Sequence, residues 1–303
     1  MFLHRMATGL LLLSLLEPTG AAAQATPGTD IWAFKVSGNA VSVVPESLVR
    51  VTMRAGYDNQ PHFPPGERMV LYTQIDSVGQ ADIWRFDLRT GSHSNVTRSA
   101  PESEYSATVM PSLARFSAIR VEADSTQRLW SFESGGTNPE VILEKVQPVG
   151  YHAWLNDDTL ALFVLGNPAT LQIASRAEGT SRVVAENIGR SLHKIPGKDA
   201  FSFVRLDRTG AGTITEYDPT SGESSPIAPL LAENEFFAWT PGGTLVMGQG
   251  PKLFRWTPGE SQEWIEVVDL ESAGIMGISR IAFSPEGGWI AVVGEDAGDE
   301  GGN

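Results

Sequence analysis

Six copies of a two-part module, spaced about 45 residues apart, restrict this chain to very few architectures. One part is an aliphatic residue, an aromatic pair spaced two apart, and a Gly turn. It is plain in "DIWAFKVSG" from Asp30, "DIWRFDLRTG" from Asp82 and "RLWSFESGG" from Arg128. Weaker copies follow in "LQIASRAEG" from Leu171, "ITEYDPTSG" from Ile214 and "LFRWTPGE" from Leu253. Period-two apolar residues running into a turn describe a strand entering a hairpin. The other part is a pair of apolar runs around a Pro or Asn turn. Its anchors are Pro65, Pro111, Asn156, Pro196, Pro241 and Pro285, at spacings of 46, 45, 40, 45 and 44 residues. A further extended piece follows each aromatic strand, from "NAVSVV" to "QEWIEVV". The module therefore holds four strands, a to d, and long helical periodicity is absent beyond the first 25 residues. The expected fold is all-β, a six-bladed β-propeller of four-stranded blades.

The phase of the repeat sharpens this. The first module begins at strand c, in "DIWAFK", and the last module stops after the a–b hairpin "FSPEGGWIAVV" from Phe283. Both ends are half modules, and they are complementary halves. A ring whose last blade is built from both termini leaves no free sheet edge, whereas a linear stack leaves one at each end. One propeller over residues 26–294 is expected.

The N-terminal 25 residues, "MFLHRMATGLLLLSLLEPTGAAAQA", place a His and an Arg before an apolar run and small residues after it. That is the layout of a cleaved secretory signal peptide. The run is short for a membrane span, and Glu17 and Pro18 suit lipid poorly, so no anchor is expected after cleavage. The expected location is periplasmic or extracellular. The chain has no Cys, so neither disulfides nor thiol chemistry are available to it. A net charge of −14 argues against nucleic acid or an anionic lipid surface as partner. The last nine residues, 295–303, read as an acidic tail without the oxygen spacing of a calcium loop.

The "N.P.F.P.G" of Asn59, Pro61, Phe63, Pro65 and Gly66, and the "FSPEG" of Phe283 to Gly287 with its "DIW" strands, resemble the WD40-like repeats of the TolB family. The resemblance spans most of the chain and weakens in blades 2 to 4. It implies a six-bladed propeller in a bacterial envelope that binds partners rather than catalysing.

Catalytic motifs are scarce. Ser134 in "FESGG" and Ser279 in "GISRI" lack the flanking glycines of a nucleophile elbow. There is no Walker loop, dinucleotide fingerprint or zinc-binding helix. Three histidines fall on or beside the innermost strand a: His62, His152 and His193. Converging imidazoles in a channel suit a transition metal or a general base, and a propeller enzyme, a carbohydrate lyase or lactonase with a channel metal, is the alternative reading. His152 stands one place out of phase with the other two. The loops opening on one face carry Tyr57 and Asp58, Glu104 and Tyr105, Tyr151, Glu233 and Glu235, with Arg54, Arg98 and Arg190 among them. Tyr beside charge suits a wet recognition surface. The expected binding residues are therefore Tyr57, Asp58, His62, Tyr105, Tyr151, His152 and His193. They would serve a protein or peptide partner in the envelope, with no cofactor and a monomeric chain. Trp84, Trp130, Trp239 and Phe283 belong to the repeat and are expected in the core, and "NVT" at Asn95 is formally a glycosylation acceptor.

Overall fold

The computed structural model describes residues 28–37, 41–111, 114–231 and 234–295. Each hairpin turn uses the chemistry its sequence offers. In blades 5 and 6, Thr240-Pro241-Gly242-Gly243 and Ser284-Pro285-Glu286-Gly287 close by Gly243 and Gly287 N–H groups donating to the Thr240 and Ser284 carbonyls, at 3.0 and 2.8 Å. Pro presets the first turn dihedral and Gly takes the left-handed one. Blade 3 lacks this pair, and the Asn156 side chain takes its place, its Oδ1 accepting from the Asp158 and Thr159 N–H groups at 3.0 and 2.8 Å.

Blade 1 comprises strands Asp58–His62, Met69–Ile75, Ala81–Asp87 and His93–Asn95. Blade 2 comprises Ser103–Val109, Arg115–Val121, Gln127–Glu133 and Glu140–Val141, and blade 3 Val149–Trp154, Thr159–Val164, Thr170–Ser175 and Thr180–Glu186. Blade 4 comprises Ile188–Lys194, Phe201–Leu206, Gly212–Tyr217 and Ser224–Pro229, and blade 5 Phe237–Trp239, Leu245–Gln249, Lys252–Trp256 and Ile265–Asp269. In blade 6, strands a and b are Arg280–Phe283 and Trp289–Glu295, and strands c and d are Thr29–Ser37 and Ser42–Arg50 from the other end of the chain. The joining ladder is antiparallel and runs without a break from Thr29 opposite Glu295 to Lys35 opposite Trp289. The half modules at the two ends are thus one blade. Glu295, expected in the tail, is the last residue of strand b; the rest of the tail and the 25-residue leader lie outside the described residues. Strand d of blade 6 also runs on through "PESLVR", since an outer edge strand tolerates Pro45.

The core is distributed between blades. Along strand c of blade 6, Ile31 and Ala33 pack with Phe63, Val70 and Tyr72 of blade 1, while Trp32 and Phe34 pack with Ala238, Val246 and Leu253 of blade 5. The two-residue alternation of "DIWAF" therefore serves two interfaces at once. Four further clusters fill the remaining junctions, so the ring is closed by apolar packing all round. Trp239 is buried, and Trp84, Trp130 and Phe283 pack partly buried against these clusters.

The Asp that begins the "DIW" strand has a defined task. Asp30 accepts from the Thr52 hydroxyl at 2.9 Å, and that hydroxyl in turn accepts from the Ile31 N–H at 2.9 Å. Asp82, Thr97 and Ile83 repeat the arrangement in blade 1, at 3.1 and 3.0 Å. Asn95 donates to Asp82 at 2.8 Å, so the formal glycosylation acceptor is engaged in tying strand d to strand c. Among the described residues no helix is long and apolar enough to cross a membrane.

Candidate functional site: the channel mouth and its side groove

At the face where each chain segment enters strand a, the six blades each contribute a side chain to one mouth. These are Tyr57, Tyr105, Tyr151, Arg190, Phe236 and Arg280, in blade order. Tyr57 is fixed by its backbone: it forms a parallel bridge with Thr29, and its carbonyl accepts from the Ile75 N–H at 2.9 Å and from Arg54 at 3.1 Å. Burial pushes its hydroxyl up to about 12, with Arg280 opposing and Tyr151 and Tyr105 adding to the rise.

Arg280 spans the mouth. Its Nη2 donates to the Tyr151 hydroxyl at 2.8 Å, from blade 6 to the opposite blade 3. The guanidinium carbon stands 3.7 Å from the centre of the Phe236 ring and 5.1 Å from that of Tyr151, within cation–π range of both. Arg190 approaches Phe236 at 5.2 Å and is paired with the Glu235 carboxylate, which also accepts from the Arg190 N–H at 3.0 Å. Gly189 makes room for this, because a Cβ there would lie 2.7 Å from Glu235 Oε2. Arg280 pairs with no carboxylate among the described residues.

A groove of 940 Å³ opens beside the mouth over blades 4 to 6. Leu206, Leu230, Leu231, Phe236 and Ile278 supply its apolar lining, and Arg190, Glu235 and Glu295 its charged rim. Its walls include glycines that let segments approach closely: a Cβ on Gly212 would meet Leu230 of the same blade at 2.2 Å, and one on Gly248 would meet Ile278 of the next blade at 2.5 Å. Asn234 pins the strand entry, donating to the Gly248 carbonyl at 2.9 Å and accepting from the Phe236 N–H at 2.9 Å.

Of the residues expected to bind, Tyr57, Tyr105 and Tyr151 reach this mouth, together with Arg190 and Glu235. Asp58 does not: it is fully buried, with Arg54 paired to it at 2.8 Å, and burial pushes its carboxyl up to about 6 against that cation. Glu104, at the matching place in blade 2, is equally buried and is paired with Arg120 at 2.7 Å. Arg98 is exposed at the end of strand d of blade 1, and Glu233 lies outside the described residues.

The histidines are tied into the scaffold. His62 Nε2 accepts from the Val109 N–H at 3.1 Å, joining blade 1 to blade 2. His152 sits between blades 3 and 2, its Nε2 2.7 Å from the Ser117 hydroxyl, which also accepts from Trp154 Nε1 at 2.9 Å. His193 lies 3.2 Å from the Ser191 hydroxyl on its own strand. Burial lowers His62 and His193 to about 4 and His152 to about 3, so all three are neutral near pH 7. Among the described residues no three His, Cys, Asp or Glu side chains come together in a group able to hold a metal.

Phe236, Arg280 and the groove escape the motif reading of the sequence. A signal for two of them exists: Tyr151, Phe236 and Arg280 each stand five residues before their turn anchors Asn156, Pro241 and Pro285.

No protein-family model and no curated protein matches this sequence. Solved structures do resemble it. A protein described as a TolB from Agrobacterium tumefaciens superposes with a TM-score of 0.66 at 13% identity, covering 89% of this chain and 99% of that one. A gluconolactonase from Xanthomonas campestris gives 0.63 at 10% identity, covering 90% and 98%. TolB from Acinetobacter baumannii gives 0.60 at 10% identity, covering 88% of this chain but only 65% of its own. TolB proteins and a gluconolactonase stand side by side here, so fold does not select a function. What the likeness shows is the architecture, a six-bladed β-propeller similar to that of the TolB proteins.

Proposed function

We propose that this protein is a non-enzymatic propeller of the bacterial envelope, exported to the periplasm or the cell exterior, that binds a protein or peptide partner at the mouth and side groove. The observation that carries this reading is the continuity of an aromatic and arginine-lined mouth with an apolar groove of 940 Å³. Aromatic and Arg anchors around a recess are what protein interfaces concentrate at their energetic centre. The histidines support the same reading, since each is hydrogen-bonded to the scaffold rather than aimed at a shared point in the channel.

The test is capture from envelope extract with the mature chain as bait, beside a Phe236→Ser variant whose melting temperature matches the parent. The expected result is a partner retained by the parent and lost by the variant. Equal capture by both chains moves the binding site away from the mouth. A stoichiometric metal ion in the purified protein, lost on His62→Ala or His193→Ala, replaces the binding reading with an enzyme.

A further inference from the structure

The bar that Arg280 lays across the channel mouth is chemically incomplete. A guanidinium carries five N–H donors in a planar fork that matches a carboxylate. Among the described residues the group makes one hydrogen bond, from Nη2 to the Tyr151 hydroxyl, while Phe236 and Tyr151 hold the plane of the group in place. The neighbouring Arg190 is neutralised by Glu235, whereas Arg280 has no acidic partner among the described residues. This is a preoriented cation on a protein of net charge −14.

We propose that Arg280 is the reading head for a peptide carboxylate, bound at the mouth while the adjoining aliphatic residues of the same peptide lie in the side groove. The proposal rests on the binding reading above and names the chemistry of its ligand. Two observations choose a peptide over an acidic sugar. The groove's apolar lining of Leu206, Leu230, Leu231 and Ile278 suits aliphatic side chains, and its Asn234 is already bonded to the Gly248 carbonyl and the Phe236 N–H. Its rim carries Glu295, which repels a chain charged at every unit but tolerates a single carboxylate at the mouth. The carboxylate has two possible origins, a C-terminus or a Glu or Asp side chain.

The probes are three N-acetylated hexapeptides of one aliphatic sequence, with a free-acid C-terminus, with an amide C-terminus, and with an amide C-terminus plus one internal glutamate. Titrations with the mature chain by calorimetry or NMR are expected to show at least one carboxylate form binding at least about tenfold tighter than the plain amide, the range for a hydrogen bond to a charged group. Which form binds better identifies the origin. In Arg280→Gln the ratio of acid to amide affinity falls to about one, even with unchanged melting, a result a purely structural role does not give. In Tyr151→Phe, charge is kept but the orienting acceptor is lost, and the ratio falls by a few-fold. Equal binding of all three peptides overturns the carboxylate assignment and leaves the peptide-binding reading standing. Failure of every peptide to bind at millimolar concentration, or binding of oligogalacturonate in their place, overturns both.

Discussion

Arg280 and Tyr151, 129 positions apart in the chain, meet at 2.8 Å across the mouth of the ring. They come from opposite blades, so the contact reports closure of the whole propeller. It lies at a solvent-touched mouth and joins few other groups. Tyr151→Phe is therefore expected to lower stability by no more than about 1.5 kcal/mol in urea unfolding. A larger loss makes the bar a structural strut.

Removing Asp30 to Val44 should unfold the entire domain. Ile31, Trp32, Ala33 and Phe34 are all but completely buried and supply both faces of one blade. Each large side chain contributes about 1.5–3 kcal/mol by burial, and whole domains hold only about 5–15 kcal/mol. The milder Trp32→Ala is expected to cost about 3–5 kcal/mol. Unchanged thermal melting of the deleted chain refutes closure through the shared blade.

Ser117 should matter more than its repeat counterpart Ser202. Each hydroxyl accepts from an indole of the following blade, Trp154 at 2.9 Å and Trp239 at 2.8 Å. Only Ser117 also meets a buried imidazole, that of His152 at 2.7 Å. Leaving a buried polar group without its partner costs about 1–3 kcal/mol. Ser117→Ala therefore strands two such groups and Ser202→Ala one. Matched denaturation curves of the two variants check the order, and equal losses contradict it.

Acid should weaken the fold through the histidines. Burial holds His62 and His193 near 4 and His152 near 3, below the ordinary 6.5. The folded protein therefore binds fewer protons than the unfolded chain between about pH 6.5 and 4. Their contribution is fully present above 6.5 and is lost as pH falls through that window. Asp58 and Glu104, raised by burial, act in the opposite sense as their folded forms retain a proton. Comparison with His62→Gln isolates one group: the parent is expected to lose more stability than the variant between pH 7 and 4.5. Parallel pH profiles dispose of this assignment.

Gly189→Ala should disturb the mouth from beneath. Its Cβ would stand 2.7 Å from Glu235 Oε2 and 2.9 Å from Val204 Cβ. Crowding of this kind costs about 1–3 kcal/mol, and displacing Glu235 frees Arg190. Both are readable, as a lowered denaturation midpoint and as stronger discrimination between a carboxylate peptide and its amide, now that a second cation is unpaired.

The fold was legible because its information is local and repeated. Pro-Gly turns, period-two aromatics and the half-module offset each follow from a few neighbouring residues, and six copies reinforce one another. Even the exception in blade 3 was marked, since Asn156 performs with its side chain what Pro and Gly perform elsewhere. The site was legible only in part. Tyr57, Tyr105 and Tyr151 stood out by type, but Arg280 and Phe236 looked like ordinary strand-entry residues. Irregular register in strand a, between Asn59 and His62 and between Tyr105 and Thr108, moves the mouth residue by a place or more from blade to blade. Simple counting therefore loses it.

Asp58 and Glu104 show the other boundary. Both read as surface charges beside Tyr, and both are buried, each with a differently placed arginine. Arg54 comes from the loop before Asp58, and Arg120 from the strand paired with Glu104. The amino-acid sequence by itself determined the number of blades, their turns and the joining of the two ends, because hydrogen-bonded strands and turns obey short-range rules. Only the tertiary structure decided which charges are buried, that the histidines serve the scaffold, and that one arginine crosses the mouth with donors to spare. Those outcomes depend on distances across a closed ring, and no stretch of neighbouring residues contains them.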